Sequence, residues 1–100
     1  MIISQFDEAA ATATLLVKGR FDYSCQQDFR ECFGRYPKGS GYIIDLHEVS
    51  YIDSSALGML LLLRDYAGGD GSKVVIKGAS DFVSNALKMA RFERLFVLSQ

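Results

Sequence analysis

Apolar and polar positions change period several times along the chain, and each change marks an element. Residues 2–6 form a short apolar run, and residues 11–18 carry β-branched residues in partial alternation. Together they predict an antiparallel hairpin. Gly19, Arg20, Phe21 and Asp22 then turn the chain, and Ser24 followed three residues later by Gln27 has the form of a capping box that opens a helix. The inward stripe of that helix is Cys25, Phe29, Cys32, Phe33 and Tyr36, with Gln26, Gln27, Arg30, Glu31 and Arg35 on the other side and Pro37 ending the run.

Residues 38–41 read as a loop and residues 42–46 as a buried strand interrupted only by Asp45. Residues 47–53 follow as a connection, and then Ser54, Ser55 and a helix over 56–67 that is apolar nearly all round, which predicts cover on two sides. Glycines at 68, 69 and 71 break it, residues 73–77 form another strand, and Asp81 caps a last helix with Val83, Ala86, Leu87 and Ala90 inward. The apolar stretch 92–98 must pack back onto the domain. Strand 42–46, helix 56–67 and strand 73–77 make a β-α-β unit whose strands run parallel. The fold class is therefore α/β: one domain with a mixed sheet of four to five strands, an N-terminal hairpin and helices packed on the sheet.

Composition narrows the partners. With 11 Lys+Arg against 12 Asp+Glu and no basic run, the chain has no surface suited to nucleic acid or an anionic membrane. Its longest apolar stretch, residues 56–63, is far shorter than the ~20 residues that span a bilayer, so membrane insertion is not expected. Asp7 and Glu8 stand where a signal peptide would need an apolar run, which makes a cytoplasmic location the expectation. Cys25 and Cys32, seven apart on one helix, cannot bridge each other and read as small core residues. With a single histidine, His47, and no C-x-x-C, the chain lacks a zinc ligand set; no metal or cofactor is expected.

The stretch richest in chemistry is Asp53-Ser54-Ser55, between a strand's C-terminal end and a helix N-terminus, where ligands and partners of open α/β sheets gather. Three capping-type residues in a row exceed what one helix start needs. No nucleophile elbow G-x-S-x-G is present, and the glycines at 34, 39 and 41 follow a helix, not a strand, which excludes a phosphate-binding loop. His47 reads as a structural or surface residue.

The succession of hairpin, G-R-F-D at 19–22, helix, Y-I-I-D-L at 42–46, Y-I-D-S-S-A-L-G at 51–58, apolar helix and K-V-V-I-K at 73–77 resembles the STAS domain of bacterial anti-sigma factor antagonists over essentially the whole chain. The resemblance implies a protein without catalysis of its own. It would bind an anti-sigma factor that is also a serine kinase, lose that binding on serine phosphorylation, and be restored by a serine phosphatase. Position by position it puts the phosphoacceptor at Ser55, with Ser54 as the alternative, Asp53 ordering the loop and Asp22 near the same surface. A strip of the apolar helix at Leu57, Gly58 and Leu61 is expected to face the partner, in a chain that is a monomer or weak dimer when free. Two positions depart from the family pattern: Ala56 and Arg91 stand where glycine is usual, and a methyl at 56 is expected to narrow the approach to the helix N-terminus. Two other readings stay open, a non-switching STAS subunit supporting a transporter ATPase and a small enzyme with Asp53, Ser54 or Ser55 as nucleophile.

Overall fold

The computed structural model describes residues 1–100. Its order is β1 (Ile2–Asp7), β2 (Thr12–Phe21), α1 (Gln26–Gly34), β3 (Gly41–Ile52), α2 (Ser54–Tyr66), β4 (Val74–Lys77), α3 (Asp81–Met89) and β5 (Val97–Ser99). The five strands form one sheet in sequence order. β1 and β2 are the antiparallel hairpin, and β2 through β5 run parallel. The mixed α/β fold is thus as the sequence predicts, with all five strands realised.

Alternation decides which face of the sheet is covered. Ala13, Leu15 and Val17 of β2, Tyr42, Ile44 and Leu46 of β3, and Val74 and Ile76 of β4 point inward and are buried. They share one core with Phe29 and Phe33 of α1, Met59, Leu60 and Leu63 of α2, Val83 and Leu87 of α3, and Phe92 and Phe96 beyond it. Residues between them on the strands are half-buried or exposed, so the helices cover one face only. The C-terminal end of α1 is tied down by polar contacts as well. The Tyr42 hydroxyl donates to the Phe33 carbonyl at 2.7 Å and the Tyr66 hydroxyl to the Tyr36 carbonyl at 2.6 Å, while Phe6 stacks on Tyr36.

Four sequence expectations are corrected. β3 does not end at Leu46: residues 47–52 continue the strand, and 53 alone connects it to α2. Two register shifts against β2 put an extra β3 residue between Asp45 and Glu48 and another between Val49 and Tyr51, so the buried positions pass from 44 and 46 to 49 and 52. Bulges of this kind break the period of two while the ladder continues. Ser24 does not cap α1; Asp22 caps a 3₁₀ turn over Tyr23–Cys25 that leads into the helix. Ser80, not Asp81, caps α3 through a hydrogen bond from the Val83 amide, and of its expected stripe Ala86 is half-buried and Ala90 exposed. α2 begins at Ser54, not at residue 56, and is covered on one side only, with Leu61 and Leu62 standing 40% and 45% exposed.

Both cysteines are buried and free, and the Cys25 thiol donates to the Arg20 carbonyl at 3.1 Å. Burial pushes the Cys32 thiol above its ordinary range, which keeps it protonated and unreactive. His47 is exposed, pairing with Asp45 at 2.7 Å and Glu48 at 3.5 Å. Gly78, at φ +76°, packs against these residues so closely that a Cβ would lie 2.9 Å from the Cβ of His47.

Candidate functional site

The site is built where β2 and β3 end. Phe21 and Ile52 are register partners, both buried, and each is followed by an aspartate in extended conformation, Asp22 at φ −136° and Asp53 at φ −127°. Each carboxylate then does the same two things. Oδ1 of Asp53 accepts from the Ala56 amide at 3.1 Å and from the Ser55 hydroxyl at 2.6 Å. Oδ1 of Asp22 accepts from the Ser24 amide at 3.0 Å and from the Ser24 hydroxyl at 2.5 Å. Two D-x-S turns, Asp22-Tyr23-Ser24 and Asp53-Ser54-Ser55, therefore stand side by side on one rim.

This division of labour matters for Ser55. An N-cap serine would have its oxygen engaged as an acceptor for the helix amides. Here Asp53 satisfies the amide, and the half-buried Ser55 hydroxyl only donates, which leaves its lone pairs directed away from the cap. Ser54 is exposed and its side chain makes no hydrogen bond within the chain. Ala56 is fully buried, so its methyl lies in the core. The expected narrowing of the approach to the helix N-terminus does not occur.

Asp22 carries an ion pair as well. Arg20 Nε lies 3.2 Å from Asp22 Oδ2, and its guanidinium sits 4.0 Å above the Tyr51 ring. The hydrogen bond from the Ser24 hydroxyl, helped by the Ser24 amide and Arg20, holds the Asp22 carboxyl below the usual carboxylate range. Arg20 and Tyr51 were not among the candidates from sequence. The signal was present in the two-residue spacing of Arg20 and Asp22 at a strand end, which puts both on one face.

The apolar strip is only partly where the sequence put it. Gly58 and Leu61 are exposed as expected, Leu57 is half-buried, and Leu62 joins the exposed face instead. A groove of about 490 Å³ continues from Leu62 toward α1, lined by Arg30, Phe33, Lys38, Asp65 and Tyr66. No helix is long and apolar enough to cross a membrane.

A single five-stranded sheet with helices on one face, and a D-S-S turn at the N-terminus of its central helix, defines a STAS-type domain. The family model described as Mlab, STAS domain, matches residues 4–99, and the chain belongs to the STAS family. It is 44% identical over 87 residues, 86% of each chain, to a STAS-domain containing protein of Pseudomonas aeruginosa strain UCBPP-PA14. Its fold is similar to that of a candidate anti-sigma factor antagonist from Thermotoga maritima, with a TM-score of 0.83 and 14% identity over 100% of this chain and 86% of that one. The anti-sigma factor antagonist SpoIIAA in its unphosphorylated form matches with a TM-score of 0.70 and 13% identity, over 100% of this chain and 87% of that one.

Proposed function

We propose that this chain is a cytoplasmic anti-sigma factor antagonist, a binding module that works by partner switching. It binds an anti-sigma factor with serine kinase activity through the rim formed by Asp22, Asp53, Ser54 and Ser55 and the adjoining face of α2. Phosphorylation of Ser55 ends the binding, and a serine phosphatase restores it.

The observation that carries this reading is the Ser55 hydroxyl held 2.6 Å from the Asp53 carboxylate while Asp53 does the capping. The γ-phosphoryl of ATP passes to Ser55 Oγ, ADP leaves, and the hydroxyl proton departs on the side where Asp53 accepts it. The product, at about −1.5 to −2 charges, stands at a helix N-terminus whose free amides and dipole tolerate an anion, so the fold should survive. Binding should not, because the same anion beside the Asp53 carboxylate, on a rim that also carries Asp22, meets like charge inside a packed interface at a cost of several kcal/mol.

The test begins with capture of the partner on the Ser55→Ala chain and its identification by mass spectrometry. Incubation of the wild-type chain with that partner and Mg-ATP should add one phosphoryl group, mapped to Ser55, and Ser55→Ala should stay unmodified. Ser55→Asp should weaken partner binding about 5- to 150-fold. Modification of Ser55→Ala at Ser54 would move the acceptor by one residue. Failure of any captured kinase to modify either serine would sink the switch.

A further inference from the structure

Arg20 is held more firmly than an exposed side chain needs to be. The second bulge of β3 puts Ser50 out of register, so that Arg20 faces Tyr51 across the ladder instead of Ser50. Gly19 turns the chain just before it at φ +82°, and the Ser50 hydroxyl donates to the Gly19 carbonyl at 3.4 Å. Because Phe21 and Ile52 point into the core, Arg20 and Tyr51 point to the uncovered face of the sheet. There the guanidinium lies 4.0 Å above the tyrosine ring, and its Nε donates to Asp22 Oδ2 at 3.2 Å. Backbone, stack and hydrogen bond thus fix a side chain that is 62% exposed.

The far end of the guanidinium is left free. Nη1 and Nη2 make no hydrogen bond within the chain, and with Nε taken they form the end-on fork that matches the two oxygens of a carboxylate. An exposed ion pair returns little stability, and holding a long side chain in one rotamer costs entropy. That entropy is already lost before a partner arrives, so the arrangement favours binding more than folding.

The neighbours select the anion. Asp22 shares the same guanidinium, and Asp53 stands at the end of the adjacent strand. A phosphoryl dianion would face both carboxylates, whereas a single carboxylate adds only one charge. In open water one exposed arginine holds an anion weakly, so the carboxylate has to come on a protein that covers the rim and excludes water. We infer that Arg20, held by Tyr51 and Asp22, is a partner-recognition residue that takes an Asp or Glu side chain of the partner end-on. The inference rests on the proposed binding of a partner at this rim and not on phosphorylation, and it extends the contact from α2 to the uncovered side of the sheet.

The test titrates the purified partner, captured on the Ser55→Ala chain, against otherwise wild-type variants by calorimetry without ATP. Arg20→Gln should weaken binding about 10- to 100-fold, and Arg20→Lys, which keeps the charge and loses the fork, should stay at least about fivefold weaker than wild type. Tyr51→Phe should bind as the wild type does, while Tyr51→Ala, which frees the guanidinium, should weaken binding about 3- to 10-fold. Urea midpoints should confirm that the variants are folded. Double-mutant cycles against alanine at each acidic residue of the partner should show coupling of about tenfold at one of them, and phosphatase treatment of the partner should leave the affinity unchanged. Arg20→Gln binding within about twofold of wild type, or Arg20→Lys restoring full affinity, would overturn the inference even where Ser55 is modified. Loss of affinity on phosphatase treatment would overturn the carboxylate. An unmodified Ser55 with Arg20→Gln binding still weakened would sink the switch and leave this inference standing.

Discussion

Phe21 and Ile52 lie opposite each other at the ends of neighbouring parallel strands, and the aspartate that follows each caps the helical segment that comes next. One register pairing therefore fixes the spacing of two caps and of the serines that hydrogen-bond to them. The rim is set by the sheet and not by loops, which gives the D-S-S turn a rigid base.

Capping and switching separate by residue. Asp53→Ala removes the acceptor of the Ala56 amide and should cost about 1 kcal/mol of stability, while Asp53→Asn should cost only a few tenths. Ser55→Ala leaves the cap in place and should change stability by less than about 0.5 kcal/mol. Urea unfolding of the three variants checks the order. A Ser55→Ala loss as large as that of Asp53→Ala would mean the hydroxyl is structural.

The sheet and its helices were legible because most strands alternate cleanly and α1 carries a single aromatic stripe. The second half of β3 was not. Its two bulges leave Val49 and Ile52 buried three residues apart, a spacing that matches no strand template and so read as a connection. The exposure of α2 was hidden for a different reason. Leu61 and Leu62 are as apolar as Leu60 and Leu63, and periodicity cannot tell a face kept for a partner from a face in the core. At the site, Asp53, Ser54 and Ser55 were legible as a cluster, whereas the matching turn at Asp22 and Ser24 was masked by a glutamine at position 27 that imitates a capping box.

Phe33 is 7% exposed and touches two other rings, Phe29 at 5.6 Å and Tyr66 at 5.4 Å between centroids. It joins α1 to α2. Phe33→Ala should cost roughly 3 to 5 kcal/mol by urea unfolding, the range for deleting a buried aromatic. A loss below about 1 kcal/mol would show that the α1 and α2 contact is not part of the core.

Arg91 follows α3 at φ +61°, in the left-handed region, and its side chain is exposed. This is the C′ position of the helix, where glycine avoids the Cβ clash that costs other residues roughly 1–2 kcal/mol. Arg91→Gly should raise stability by up to about 1 kcal/mol, part of the gain being offset by the greater freedom of glycine in the unfolded chain. Thermal unfolding gives the sign. A fall in melting temperature would mean that Arg91 makes a compensating interaction.

Asp45, like Asp22 a carboxylate depressed in the folded chain, is one whose protonation should be felt in acid. Partial burial pushes its pKa up, but the His47 side-chain and amide hydrogen bonds, the His47 charge and Lys77 at 3.9 Å outweigh burial and leave it lowered from 3.8. A carboxyl depressed in the folded state stabilises the fold above its unfolded pKa and loses that contribution as pH falls through the folded value. The window therefore opens near pH 4 and extends below it. Over that window the wild-type chain should lose more stability than Asp45→Asn, whose amide does not titrate there, and the gap between the two urea midpoints should narrow. At pH 7 the wild-type chain should be the more stable, since asparagine keeps one acceptor for the His47 amide but not the charge that attracts Lys77. Urea midpoints for both chains at pH 7, 4 and 2.5 decide the matter, and parallel curves across that range would show that Asp45 titrates alike in the folded and unfolded states.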